Sequence, residues 1–247
     1  MQKKINRKMK SILFLAVFSL SSLAQAAVVV VPQVSEKYSA RILVDQCTEY
    51  ACQGRAKISV FSLETHEKIV ELESDDFGIS VSSNSTSNEA SFTATDDGAI
   101  VIGDFNFDGH DDVAILNGYN GSYGYASYDV YTYDAKKRIY SLNLDLTRLT
   151  GGEYLGMFQV DQKRKRLLAY NKVGAGLFYS FEFISNVRGV KKVCEKSEIW
   201  DMPNSLVKVA VKTLENERWR TRMQSFSDDT YDFNKMAAWG RCSFLNQ

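Results

Sequence analysis

The stretch "GAIVIGDFNFDGHDDVAILNG", Gly98 to Gly118, sets two short apolar runs on either side of a segment crowded with acids and amides. Each run is rich in Val and Ile and stops at Gly, Asp or Asn, the pattern of short strands meeting at a turn. The form recurs outward from there. "SYDVYTYD" (127–134) is a third such run, and "RAKISVFSLETHEKIVELES" (55–74) reads as a hairpin about a polar turn. "RLLAYNKVGAGLFYSFEFIS" (166–185) gives two runs around a Gly174/Gly176 turn, followed by "GVKKVCEKSEIW" (189–200). In "SLVKVAVKTLENERWRTRMQSF" (205–226), Val207, Val209 and Val211 alternate with polar or small residues, turn at 215–217 and return through Trp219. Helical periodicity is hard to find. Short strands with polar turns at intervals of roughly 8 to 12 residues predict an all-β fold, closed or sandwiched: a small β-propeller-like domain, a barrel or a β-sandwich, among which spacing alone does not choose.

Within "DFNFDGHDD" oxygen-bearing groups recur at every second position: Asp104, Asn106, Asp108, the main chain of His110, and Asp112, with Gly109 at the bend. Calcium takes six to eight hard oxygen ligands, and a loop curling round an ion offers alternate side chains plus one carbonyl. The spacing therefore predicts one calcium loop at 104–112. Phe105 and Phe107 are expected to face away from the ion toward the core, and Asp111 to face solvent. The loop is not an EF-hand, because its twelfth position is Ile115 and strands flank it. Magnesium, which keeps several waters, fits less well.

The same residues argue against an enzyme. Calcium polarises weakly, and no nucleophile, general base or histidine pair lies beside the loop. The His110 imidazole is expected to point away, and His66, in "ETHEK", reads as a solvated turn residue. Asp228, Asp229 and Asp232 in "SDDTYD" are better read as a solvated acidic loop than as an acid–base pair. "KVGAGLF" lacks the third glycine and following helix of a phosphate loop.

After the acidic segment comes "NGYNGSYGYASYDVYTYD" (117–134), where glycines space out Tyr119, Tyr123 and Tyr125. Tyr with Gly, Ser and Asn is the composition of recognition loops, since tyrosine gives large contact area at low entropic cost. These three are the candidate partner-binding residues. The alternative is a long hairpin connection whose tyrosines lie on the sheet. Tyr128, Tyr131 and Tyr133 alternate along the next strand and are expected to pack. An ion fixing 104–112 is expected to fix the start of this loop as well.

"MQKKINRKMKSILFLAVFSLSSLAQAA" has a basic start, a short apolar stretch and an "AQA" site, the pattern of a signal peptide over 1–26. The stretch is short for a transmembrane helix, and none follows it. The mature chain, 27–247, is expected to be a single β-rich domain, periplasmic or secreted. Five of the thirty basic residues and none of the thirty acidic ones lie in the leader, which leaves a net charge of about −5. With no basic patch and scattered Lys and Arg, nucleic acid is not an expected partner. An even number of cysteines in an oxidising compartment favours two disulfides over zinc. Of the three pairings, Cys47 with Cys52 and Cys194 with Cys242 are preferred.

"VIGDFNFDGHDDVAILNG" resembles the calcium loop of FG-GAP or VCBS-type propeller repeats. The longer run is similar to an exported bacterial group in which "D-x-NFDG-x-DD" precedes a Gly-rich loop, a "Y-x-VY-x-YD" strand and a polar hairpin. The likeness covers roughly 55–200. It implies a small calcium-binding β-propeller with ligands at Asp104, Asn106, Asp108, the His110 main chain and Asp112. The group includes periplasmic immunity proteins that inhibit peptidoglycan hydrolases delivered by antibacterial type IV secretion systems. A non-enzymatic inhibitor of a cell-wall hydrolase is thus the function implied, with an exported glycan-binding or adhesion module as the alternative.

Overall fold

The computed structural model describes residues 27–83, 91–95, 98–229 and 231. The expected leader, Asp232 and Cys242 lie outside the described residues. The fold is all-β, in three sheets.

The first sheet is a closed barrel of β1 (Ala27–Val31), β2 (Tyr38–Cys47), β3 (Ala51–Ser62), β4 (Lys68–Ser83) and β5 (Ser91–Ala94). Neighbours run antiparallel except β1 and β5, whose parallel pairing closes the ring. Period-two alternation sorts its residues. Ala40, Ile42 and Val44 of β2 and Ile58 and Val60 of β3 are buried inside, while Arg41, Leu43 and Lys57 face out. On β4 the buried set changes phase, from Leu72 and Ser74 to Phe77, Ile79 and Val81. The register shifts there, between Gly54 and Ala56 of the partner strand. A bulge swaps the faces and lets a sixteen-residue strand turn the barrel's corner.

The second sheet is an antiparallel meander, β6 (Ile100–Gly103), β7 (Asp112–Leu116), β8 (Tyr128–Asp134) and β9 (Ile139–Leu142), the strand order of a propeller blade. All five residues of β7 are buried. A strand covered on both faces reads as a continuous apolar run, as "VAIL" does. A one-turn helix, α1 (Leu144–Arg148), follows, capped by Asn143, whose Oδ1 accepts the Leu146 N–H at 3.1 Å.

The third sheet holds β10 (Gln159–Asp161), β11 (Arg166–Val173), β12 (Leu177–Asn186), β13 (Gly189–Asp201), β14 (Leu206–Glu215) and β15 (Arg218–Ser227), in that order and antiparallel. One face of β11 and β12 gives Leu167, Ala169, Phe181 and Phe183 to a hydrophobic cluster that runs through all three sheets. On the opposite face Val207, Val209, Val211, Cys194 and Tyr231 form a second cluster. Beside it Lys196 and Glu198 make a buried ion pair at 2.7 Å, and the Tyr231 hydroxyl donates to Glu198. Breaking such a pair on one side costs about 3–5 kcal/mol, because the remaining charge stays buried.

Cys47 and Cys52 are joined in a disulfide that staples the β2–β3 turn. Cys194 is also disulfide-bonded, and its expected partner lies outside the described residues.

Candidate functional site

The acidic loop, 104–111, joins β6 to β7, and Asp112 opens β7. Its polar side chains fold back on its own backbone. The two carboxylate oxygens of Asp104 accept the N–H groups of Asp108 and Gly109 at 3.0 and 2.9 Å. Asn106 Oδ1 accepts the Asp108 N–H at 3.0 Å, and Asp108 Oδ1 accepts that of His110 at 3.0 Å. These Asx bonds mimic a turn and curl the chain. Phe107 takes a left-handed φ of 60° at the bend, a conformation that costs a non-glycine residue about 1–2 kcal/mol. Phe105 is buried edge-on against Phe158, with ring centroids 5.4 Å apart, and Phe107 packs on the rim of the main cluster. Both face the core, as the alternation predicts.

Asp112 is 0% exposed. Its Oδ2 accepts the Phe105 N–H at 2.9 Å and its Oδ1 the Tyr133 N–H at 3.0 Å, tying the loop to β8. Burial pushes its pKa up to about 7; the two N–H bonds oppose the rise, and the charges of Asp108 and Asp104 add to it. Among the described residues no Lys or Arg forms an ion pair with Asp104, Asp108 or Asp112. The one basic partner is the His110 imidazole, its Nδ1 3.2 Å from Asp108 Oδ1.

The donor chemistry therefore fits a hard cation: three carboxylates and an amide oxygen, uncompensated by protein charge. The arrangement as it stands does not yet make a ligand shell. Among the described residues no group of three or more His, Cys, Asp or Glu is placed to hold a metal ion. Asn106 and the His110 carbonyl fall outside those residue types, and the carboxylates are turned to the loop's amides.

Three details of the loop differ from expectation. The His110 ring does not point away; it folds onto Asp108 and lies 5.6 Å from the Tyr133 ring. Asp111 does not simply face solvent. Its carboxylate accepts from Lys37 Nζ at 2.9 Å and from the Tyr38 hydroxyl at 3.1 Å, and its carbonyl from the Tyr140 hydroxyl at 3.2 Å. It fastens the loop to the barrel and to β9. The third detail is position. The tyrosine segment leaves the far end of β7, five residues or about 15 Å away, so an ion in 104–112 does not touch its start.

That segment, 117–127, joins β7 to β8 and is fixed by its backbone. The Gly118 N–H donates to the Asp76 carbonyl of β4 at 2.7 Å, and the Ser122 N–H to the Tyr154 carbonyl at 2.8 Å. Gly121 sits so close that a Cβ would lie 2.8 Å from the Tyr125 carbonyl and 3.0 Å from that of Tyr154. With the main chain doing the anchoring, Tyr119, Tyr123 and Tyr125 remain 59%, 62% and 53% exposed. Tyr123 is further held by the Gly174 N–H, which donates to its hydroxyl at 2.8 Å, and its ring has the Lys172 ammonium 6.0 Å away. Tyr128, Tyr131 and Tyr133 pack, as predicted: Tyr128 is buried and Tyr133 stacks obliquely on Tyr140.

The remaining candidates are bland. His66 is exposed in its turn, and Asp228 and Asp229 lie past the end of β15. A residue the sequence did not flag is Asp76, which lines a cleft of about 340 Å³ together with Tyr119, Gly78 and the disulfide loop. Only the pairing of β4 with β3 and the approach of the tyrosine segment create that cleft. The "DD" at 75–76 was the one local sign.

No family model and no curated protein matches the chain. Among solved structures it is similar to one described as "Structure of a Xanthomonas Type IV Secretion System related protein", with a TM-score of 0.52 and 20% identity over 76% of this chain and 90% of that one. At that identity the likeness is one of fold.

Proposed function

We propose that this is an exported, non-enzymatic protein associated with a bacterial type IV secretion system, and that it binds and inhibits a peptidoglycan hydrolase. The observation that carries the reading is the row of exposed tyrosines on a backbone-anchored segment. Large rigid rings are presented on a scaffold that needs little ordering on binding, which is what a tight protein interface requires. The fold likeness to a secretion-system related protein supports the association, and the Cys47–Cys52 disulfide supports an oxidising compartment such as the periplasm. No helix of the described residues is long and apolar enough to cross a membrane.

Calcium belongs to the same proposal. Asp104, Asn106, Asp108, the His110 carbonyl and Asp112 would hold it, and the ion's contribution is to lock the junction of β6 and β7 rather than to do chemistry. Asp111, Asp112 and Phe105 already join that junction to the barrel, to β8 and to the third sheet.

The test is a turbidity assay of purified peptidoglycan with candidate hydrolases, beginning with any encoded beside this protein. Stoichiometric loss of hydrolysis is expected on adding the protein. Full hydrolysis at ten-fold excess across the set counts against the reading. The second reading, a glycan-binding module, draws on the same exposed tyrosines, whose faces suit sugar rings. Co-sedimentation with peptidoglycan in the absence of any hydrolase favours it.

A further inference from the structure

The cleft beside Tyr119 lies where β3, β4 and the tyrosine segment meet. A Cβ on Gly78 would meet the Tyr119 hydroxyl at 3.4 Å, and one on Gly118 would meet Asp76 Oδ2 at 2.9 Å. Tyr119, Asp76 and Gly78 line one space of about 340 Å³, between apolar walls that include Ile79, Leu116 and Ala99. The volume exceeds that of one long side chain, and the opening lies on the same segment as the exposed Tyr123 and Tyr125.

Asp76 is the one charged side chain among the residues that line the cleft. Asp76 makes no ion pair among the described residues, nor does its neighbour Asp75. Asn117 holds the backbone at this point, accepting the Asp76 N–H at 3.0 Å and donating to Asp129 Oδ2 at 2.8 Å. No Lys or Arg is among the residues that line the cleft.

We infer that this cleft seats an arginine side chain of a protein partner, its stem along the apolar walls, its guanidinium over the Tyr119 ring and paired with Asp76. A planar guanidinium stacks on aromatic faces and pairs with carboxylates, which a compact ammonium does less well. The inference rests on reading the tyrosine end as the partner surface. It does not depend on that partner being a hydrolase.

The probe is Nα-acetyl-arginine methylamide, titrated into the ¹⁵N-labelled protein, with the citrulline analogue as the neutral control of the same shape. Arginine is expected to shift the amides of Gly78, Leu116 and Tyr119 saturably, and citrulline to leave them in place. Asp76→Asn, at an exposed position, is expected to weaken the arginine response about three-fold or more, and Tyr119→Ala to remove it. Equal shifts with citrulline, shifts spread over the other acidic surfaces, or an unchanged response in Asp76→Asn overturns the inference. A hydrolase bound equally well by wild type and Asp76→Asn, with no probe response, overturns this inference alone. A probe response without inhibition of any hydrolase overturns the functional reading alone.

Discussion

Strand β7 carries a loop at each end, and both loops touch all three sheets. The acidic loop reaches the barrel through Asp111 and Lys37, β8 through Asp112 and Tyr133, and the third sheet through Phe105 and Phe158. The tyrosine segment reaches the barrel at Asp76, stays bonded to its own sheet, and meets the third sheet through Tyr123 and Gly174. They differ in which part of the residue does the joining. In the acidic loop the side chains turn inward, to the loop's own amides and to the core. In the tyrosine segment the backbone makes the junction to the barrel, the Tyr123 hydroxyl makes the one to the third sheet, and all three rings stay more than half exposed. The first arrangement spends its side chains on stability; the second leaves them available to a partner.

Substitutions at the two ends should therefore separate stability from binding. Phe105→Ala removes a buried ring from the acidic loop and is expected to destabilise by about 3–5 kcal/mol in denaturant melts, with unaltered affinity for a partner per folded molecule. A loss under 1 kcal/mol would blur the comparison. Asp112→Ala leaves the N–H groups of Phe105 and Tyr133 unpaired, an expected cost of about 2–3 kcal/mol, again without effect on partner affinity. Chelation belongs to the same end. If calcium occupies the loop, wild type melts lower in chelator than in calcium, and Asp104→Ala melts alike in both; equal wild-type melting curves remove calcium from the account.

Gly121→Ala sharpens the contrast, since its Cβ collides with backbone and not with a side-chain tip. A destabilisation of about 1–2 kcal/mol is expected, together with loss of partner binding, because the whole segment must shift. Smallest in stability is Tyr119→Ala, expected to stay within about 0.5 kcal/mol of wild type, as surface changes do.

Much of this was legible in the sequence. Alternation and turn residues located β3, β4, β6 to β8 and β11 to β15, because each strand there has one wet face or ends at Gly, Asp or Asn. The one-turn α1 was not legible, being shorter than the period that reveals a helix. Nor was the Lys196–Glu198 pair, since "KVCEKSEIW" has the local look of a solvated strand and the contact of Tyr231 with Glu198 joins residues far apart in sequence. For the candidate site, the Asx-rich loop and the exposed tyrosines were readable from residue type. Their placement at opposite ends of β7 follows from sequence order, since two turns that flank one strand lie at its two ends. Asp76 was hidden because its cleft is made by segments forty residues apart.

The central claim is that recognition resides at the tyrosine end and stability at the acidic end. The most direct measurement is calorimetric titration of an inhibited hydrolase with the triple variant Tyr119→Ala, Tyr123→Ala, Tyr125→Ala, at a temperature where it is folded. The account predicts affinity at least about a hundred-fold weaker than wild type. Wild-type affinity in the triple variant contradicts it.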